Sequence, residues 1–284
     1  MSAEPNFLHE REFSFSDKDF KLIREYVMEH TGISLSDAKK NMVYSRLSRR
    51  LRQLNIDKFS DYLKIVQSDN SDELGNFINA ITTNLTSFFR EPHHFDYLAK
   101  TIIPELLQAN ARTHRIRIWS AGCSTGEEPY SIAVTLREAI PNFQNWDVKI
   151  LATDLDTNVV AHAKAGVYDV ERLKGMSENR RRRWFKRGKG EHEGSAKASS
   201  ELQSMITFKQ LNLMNAWPMK GPFDVIFCRN VVIYFDKDTQ RQLFARYAEL
   251  LRSDGHIFLG HSESLFKVSD RFRLIGNTMY QRTK

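Results

Sequence analysis

Residues 13–90 carry apolar positions at helical spacing, and nothing there alternates as a half-buried strand would. Phe20, Ile23 and Val27 form one stripe behind a capping candidate, Ser16 or Asp17, and Thr31-Gly32 closes the segment. Ser36 or Asp37 opens a second helix with Val43, Leu47, Leu51 and Leu54 as its apolar stripe. Lys39, Arg46, Arg49, Arg50 and Arg52 crowd its other sides. Phe59, Leu63 and Val66 predict a third helix, and Leu74, Phe77, Ile78 and Ile81 a fourth. A small helical domain over residues 1–90 follows, ending in the polar passage Thr82-Thr83-Asn84-Leu85-Thr86-Ser87.

From His93 onward helical and strand patterns alternate. Helices are expected over 95–107, 157–164 and 238–251, and another follows Ser131. Short apolar runs predict strands at 116–120, 148–153, 206–213, 223–228 and 256–260. Two last strands, 272–275 and 279–282, meet at Gly276-Asn277 as an antiparallel edge hairpin. Strands alternating with helices mean an α/β domain with a mostly parallel sheet, here residues 91–284. Residues 166–205 break the rhythm at a length unusual for a connection. They hold Arg180 to Arg183 and a glycine-rich stretch from Gly188 to Gly194. Tyr168, Leu173, Met176, Trp184 and Phe185 offer a small core of their own, so an inserted subdomain is expected.

Composition narrows the class. Hydrophobic residues make up 41% and charged residues 27% of 284, as in soluble two-domain chains. No apolar run approaches the ~20 residues a membrane span needs, and Met1 to Glu10 lacks a signal-peptide pattern. Two cysteines, Cys123 and Cys228, exclude a disulfide framework and favour a reducing cytoplasm. A net charge of +7 leaves nucleic acid, an acidic protein surface or an anionic membrane open as partners, beside a merely solvated basic face.

The chemistry gathers at strand ends. Ile116-Arg117-Ile118-Trp119-Ser120 runs into Ala121-Gly122-Cys123-Ser124-Thr125-Gly126 and then a helix, the strand–turn–helix of a nucleotide site. Glu127 and Glu128 follow at once. An acidic first turn argues against a dinucleotide phosphate and suits a ligand with hydroxyls or positive charge. Asp154 ends the second strand, where a carboxylate accepts from ribose hydroxyls, while Asp156 or Thr157 better suits the cap of the next helix. Phe227-Cys228-Arg229-Asn230 carries a core strand into polar groups beyond its carboxyl end, and Tyr234 is the hydroxyl of the apolar run that follows. Both cysteines lie at strand ends flanking this site.

Five blocks, in this order, resemble those of the chemotaxis receptor methyltransferases of the CheR type. They are Thr82-Thr83-Asn84-Leu85-Thr86-Ser87-Phe88-Phe89-Arg90-Glu91, Gly122 to Ser131, Ala152-Thr153-Asp154-Leu155-Asp156, Phe227 to Phe235, and Gly260-His261-Ser262-Glu263. The resemblance implies a Rossmann-like class I methyltransferase sheet with an N-terminal helical domain and a small inserted β-subdomain. It implies S-adenosylmethionine as cofactor, S-adenosylhomocysteine as product, and glutamate side chains of chemoreceptors as acceptors. Cofactor contacts are implied for Asn84, Thr86, Arg90, Glu128, Asp154, Asn212, Leu213, Arg229 and Asn230, with Arg90 and Tyr234 beside the transferred methyl. Asn212 and Leu213 rest on the resemblance alone. Lys39, Arg46, Arg49 and Arg50 are expected to dock the helical cytoplasmic region of a receptor, and the β-subdomain to hold a receptor's C-terminal peptide by strand addition. A nucleic-acid methyltransferase would share the basic charge and fold, but no RNA-binding module or aromatic-flanked base motif is present. A basic helical adaptor would explain residues 36–54 but not the carboxylates of the cleft. A cytoplasmic monomer with no metal, no bound nucleic acid and no membrane insertion is expected.

Overall fold

The computed structural model describes residues 11–68 and 72–283; Met1 to Glu10, read above for a leader, lie outside the described residues. The chain divides into two compact units, Met1–Thr82 and Thr83–Lys284.

The first unit is helical: α1 (Asp17–Thr31), α2 (Lys40–Leu54), α3 (Phe59–Val66) and α4 (Glu73–Ile81). Ser16 caps α1 reciprocally, its hydroxyl accepting from the Asp19 amide while Asp19 accepts from the Ser16 amide. Gly32 ends α1 in the left-handed region. The stripes meet in one core of Ile23, Val27, Val43, Leu47, Leu51, Phe59, Tyr62 and Phe77. Leu54, expected in that stripe, is exposed at the end of α2.

Two arginines of the presumed docking face work inside this unit. The last carbonyls of a helix lack intrahelical donors, and Arg46 Nη1 donates to those of Ile81 (2.7 Å) and Thr82 (2.6 Å). Arg50 grips the buried carboxylate of Glu73 with Nε and Nη2, each at 2.5 Å, and the Tyr62 hydroxyl donates to the same group at 2.9 Å. Lys39 and Arg49 are exposed. Lys39 lies in a 3₁₀ turn (Asp37–Lys39) that precedes α2, so it is not on the same helix as Arg49.

The second unit is built on a seven-stranded sheet. Its strands are β1 (Arg115–Ala121), β2 (Asp147–Asp154), β6 (Ile206–Gln210), β7 (Phe223–Cys228), β8 (Leu251–Leu259), β9 (Phe272–Gly276) and β10 (Met279–Arg282). Their order is β6-β2-β1-β7-β8-β10-β9, parallel from β6 to β8, with β10 antiparallel to both β8 and β9. The closing hairpin is thus as expected. The inner strands β1 and β7 are almost wholly buried, because helices cover a parallel sheet on both faces. These helices are α5 (Pro92–Tyr97), α6 (Ile103–Ala109), α7 (Glu127–Ala139), α8 (Thr157–Ala165) and α11 (Lys237–Leu250). A π-turn, Leu98–Ile102, joins α5 to α6 just before Pro104, whose ring and missing N–H disturb the regular ladder. β8 begins at Leu251 rather than at His256, its register against β7 shifting between Phe223 and Val225.

The interruption at 166–205 forms a second, antiparallel sheet of β3 (Val167–Asp169), β4 (Phe185–Arg187) and β5 (Ser195–Ala198), ordered β3-β5-β4. Two helices, α9 (Glu178–Trp184) and α10 (Ser200–Gln203), flank β4 and β5. The glycine-rich stretch joins the β4–β5 hairpin, where the Gly188 amide donates to the Ser195 carbonyl at 2.9 Å. Tyr168, Leu173, Met176, Trp184 and Phe185 are buried, but they do not form a core of their own. They pack into the main core with Tyr130 and Phe88.

Phe88 accounts for the division after Thr82, at the start of the polar passage. Its ring meets Tyr168 at 5.0 Å and Phe185 at 5.4 Å, edge to face, so the segment after Thr83 belongs to the sheet domain by packing.

Candidate active site

The strand order reverses between β1 and β7, and in open α/β sheets ligands bind outside the carboxyl ends at that point. The chain there is shaped by steric necessity. Gly122 sits at φ 88 and Gly126 at φ 98, a region side chains resist. A Cβ on Gly122 would stand 2.3 Å from Val231 Cγ2, and one on Gly126 2.7 Å from both Ala163 Cβ and the Tyr168 hydroxyl. The loops after β1 and β7 therefore touch only because Gly122 has no side chain.

Asp154, at the end of β2, braces the turn. Its Oδ2 accepts from the Ser124 amide at 2.8 Å and its Oδ1 from the Asp156 amide at 3.0 Å. Burial raises its pKa to about 6, with amide donors pulling the other way. Each oxygen retains a lone pair, and the residue is half-buried, open to hydroxyl donors. Asp156 caps α8, accepting from the Asn158 and Val159 amides, and also accepts from Asn84 Nδ2 at 2.8 Å. The Ser124 hydroxyl donates to the Asn84 carbonyl at 2.9 Å, so Asn84 is sewn to the same turn.

The two glutamates of the turn do not greet a ligand as free acids. Glu127 is fully buried, paired with Arg172 from the insertion and accepting from the Thr125 hydroxyl at 2.6 Å. Glu128 accepts from Ser120 Oγ at 2.8 Å and pairs with Arg229 at 3.1 Å. Burial raises the pKa of Glu128, and Arg229 opposes that rise. Arg229 is itself buried behind the cleft. It reaches Glu91 at 3.3 Å, donates to the Arg90 carbonyl and lies 5.6 Å from the Phe95 ring centre. Arg229 and Glu128, implied as cofactor contacts, form a buried ion pair that also holds the segment around Arg90.

That segment is strained. Phe89 (φ 53) and Glu91 (φ 56) flank Arg90 in the left-handed region, which bulky residues occupy only when their surroundings insist. The Phe89 amide donates to Ser131 Oγ at 2.9 Å, and Arg90 Nη1 donates to the Leu85 carbonyl at 2.9 Å. Thr86 is half-buried, its carbonyl accepting from Arg172 at 3.4 Å. Glu91, His93 and His94 bring one ligand-type atom each within 4.8 Å of one another. The guanidinium of Arg229 already takes the place of a cation there. Burial, then Arg229, lowers the pKa of His94 to about 4.

Across the cleft Asn230 stands at φ 59, and Tyr234 ends a 3₁₀ turn, Val232–Tyr234, half-buried. Asn212 turns its Oδ1 back to the Met214 amide at 2.9 Å, and Leu213 packs into the second core beside Trp217 and Tyr247. Both cysteines, expected to flank the ligand, are inert: Cys123 and Cys228 are buried and burial pushes their thiols well above the ordinary range. Glu263, Glu91 and Arg172 were not singled out as having roles. A lone carboxylate among Leu259, Leu265 and glycine is the signal that Glu263 offered.

Residues 84–281 match the family described as CheR methyltransferase, SAM binding domain, and residues 18–82 its all-alpha domain. The chain belongs to the CheR methyltransferase family. It is 47% identical over 272 residues to chemotaxis protein methyltransferase 2 of Pseudomonas aeruginosa, covering 95% of each chain. It is 44% identical to the chemotaxis protein methyltransferases of Salmonella typhimurium and Escherichia coli, covering 95% of this chain and 92% and 93% of theirs. As a member of the CheR family the protein is an S-adenosylmethionine-dependent methyltransferase, and the helical unit and the sheet domain correspond to the family's two parts. The carboxylate of Asp154 at the reversal point, beside a turn that admits no side chain, fits the hydroxyl-bearing part of that cofactor. Among the described residues no helix is long and apolar enough to cross a membrane.

Proposed function

We propose that this protein transfers a methyl group from S-adenosylmethionine to glutamate side chains in the cytoplasmic helices of chemoreceptors. The observation that carries the reading is family membership across both units, with a relative named chemotaxis protein methyltransferase matched over 95% of each chain. A glutamate acceptor is ionised at neutral pH, its ordinary pKa being about 4.3, so no general base is required. The bound cofactor supplies an electrophilic methyl on a sulfonium. Asp154 holds the ribose side; Asn84, Thr86, Asn212, Leu213 and Asn230 border the cofactor; Arg229 and Glu128 act from behind, through the Arg90 backbone. Arg90 aligns the acceptor carboxylate and the Tyr234 hydroxyl steers it. Alignment more than activation is the task, because a tight guanidinium grip would also stabilise the unreacted anion. Incubation with labelled S-adenosylmethionine and either a receptor cytoplasmic fragment or RNA tests this. Ester label in the receptor is expected, and label in RNA or in neither would overturn it.

The Asp154 assignment carries a pH dependence. A carboxyl near pKa 6 must lose its proton to accept two hydroxyls fully. Affinity for S-adenosylhomocysteine is expected to rise about fivefold from pH 5 to 6, about tenfold in all from pH 5, and to level off above pH 7. Calorimetry in buffers of different ionisation enthalpy reads the released proton, and a flat profile would remove Asp154 from the site.

Receptor docking on the helical unit now rests on Lys39 and Arg49. Reversing Arg50 would place two carboxylates together in a buried site and report stability instead of docking. The double change Lys39→Glu and Arg49→Glu is expected to lower the rate on receptor fragment several-fold at low salt, about 1 kcal/mol per exposed contact at most. Cofactor affinity should stay level, and an unchanged rate would exclude this face. For the β-subdomain, β3 and β4 are edge strands, and an edge accepts an added strand through main-chain bonds. A receptor C-terminal peptide held there would raise the enzyme's local concentration near its acceptors. We place the protein in the cytoplasm as a monomer on this reading.

A further inference from the structure

Glu263 follows β8 in the block Gly260-His261-Ser262-Glu263, to which no role has been attached. It is only 4% exposed. Its Oε2 accepts from the amides of Gly260 (2.6 Å) and Asn230 (2.8 Å), and its Oε1 from those of Val231 (2.9 Å), Val232 (2.9 Å) and Ile233 (3.3 Å). One carboxylate thus satisfies five backbone donors, four of them consecutive. Successive amides turned the same way make a nest for an anion, and nests commonly face a ligand. Here the anion comes from the protein's own chain.

The loop so gathered is the one that crosses the cleft. Asn230 stands at φ 59, which a residue with a side chain enters at some cost. Without that acceptor its amide and the next three would lose the one partner they share, the buried Val232 amide most of all. From the other side β8 closes on the same residue. A Cβ on Gly260 would lie 2.4 Å from Asn230 Nδ2 and 2.9 Å from its amide nitrogen. Gly260 has no positive φ, so its bareness answers a close approach. Asn230 is therefore clamped between a carboxylate and a bare backbone, and the 3₁₀ turn that delivers Tyr234 starts two residues later.

We propose that Glu263 is the positioning residue of the methyl-transfer site, its carboxylate holding the loop after β7 so that Asn230 and the Tyr234 hydroxyl face the cleft. The inference rests on the reading of Tyr234 given under the proposed function. It assigns Glu263 no contact with substrate; its action passes through the backbone it binds.

A double-mutant cycle distinguishes positioning from bulk stability. The rate at saturating S-adenosylmethionine and receptor fragment is measured for wild type, Tyr234→Phe, Glu263→Gln and the pair. Glutamine keeps the shape but turns an N–H₂ toward amide donors. Tyr234→Phe is expected to cost about tenfold or more in wild type. In the Glu263→Gln background it should cost about twofold or less, because the hydroxyl is already misplaced. Gly260→Ala leaves the carboxylate intact and pushes Asn230 from the opposite side, so it should reproduce the same loss of coupling. If Glu263→Gln does not fold, as judged by circular dichroism, the Gly260→Ala cycle decides. Additive effects in folded variants of an active enzyme would overturn the inference and leave the proposed function standing. A wild type that transfers no methyl to receptor would overturn both.

Discussion

Arg229→Met is expected to destabilise the sheet domain by about 3–5 kcal/mol, the cost of stripping one partner from a buried ion pair. Arg229 has only 2% of its side chain exposed, and Glu128 and Glu91 retain 10% and 11%. Methionine fills much of the volume, so the loss comes from two carboxylates left in a medium that penalises charge. The sign of the pH effect follows. Burial already raises the pKa of Glu128, and Arg229 is what restrains it. For Glu91, burial also pushes upward, but Arg229 and His261 outweigh it and leave the group below its ordinary value. Without Arg229 both carboxyls hold their protons to higher pH in the folded state. Folding then favours the protonated form, and stability is lost as pH rises through the new folded pKa. Urea unfolding at pH 5.5 and 7.5 should show the larger deficit at 7.5. Equal deficits at both would mean that packing against Phe95, and not charge, is what Arg229 contributes.

Arg90→Ala is expected to lower kcat on receptor fragment by about a hundredfold on the proposed reading, the usual scale of a lost alignment. Arg90→Lys tests the fork itself. Lysine keeps the charge but loses the planar pair of donors, and its shorter reach gives up the Leu85 carbonyl. It should recover only part of the rate, with S-adenosylhomocysteine affinity changed far less than kcat. A lysine enzyme with full turnover and normal cofactor binding would show that the guanidinium is not needed. Arg90 stands between two left-handed residues, so its placement survives truncation of its own side chain, and stability should move little.

The amino-acid sequence by itself carried the architecture. Periodicity separated a helical first unit from an alternating second one, and the glycine turn after β1, the acid after β2 and the Arg-Asn after β7 all fell at strand ends. Local rules suffice for such features, because a cap, a turn and a stripe each depend on neighbours within a few residues. Asp156 was legible as the cap of α8 for the same reason. What only the tertiary structure decided is which charges are spent on one another. Glu127 meets Arg172 across 45 residues and Glu128 meets Arg229 across 101, so both acids of the turn already have counter-charges. Arg46 and Arg50 are engaged in the same way, one by helix-end carbonyls 35 and 36 residues on and one by Glu73. Glu263 was one letter in a block until four consecutive amides were found around it, thirty or more residues away in the chain. Spacing along a sequence tells which residues share a face; whether a charge on that face is free depends on distant backbone and counter-charges that folding alone brings within 3 Å.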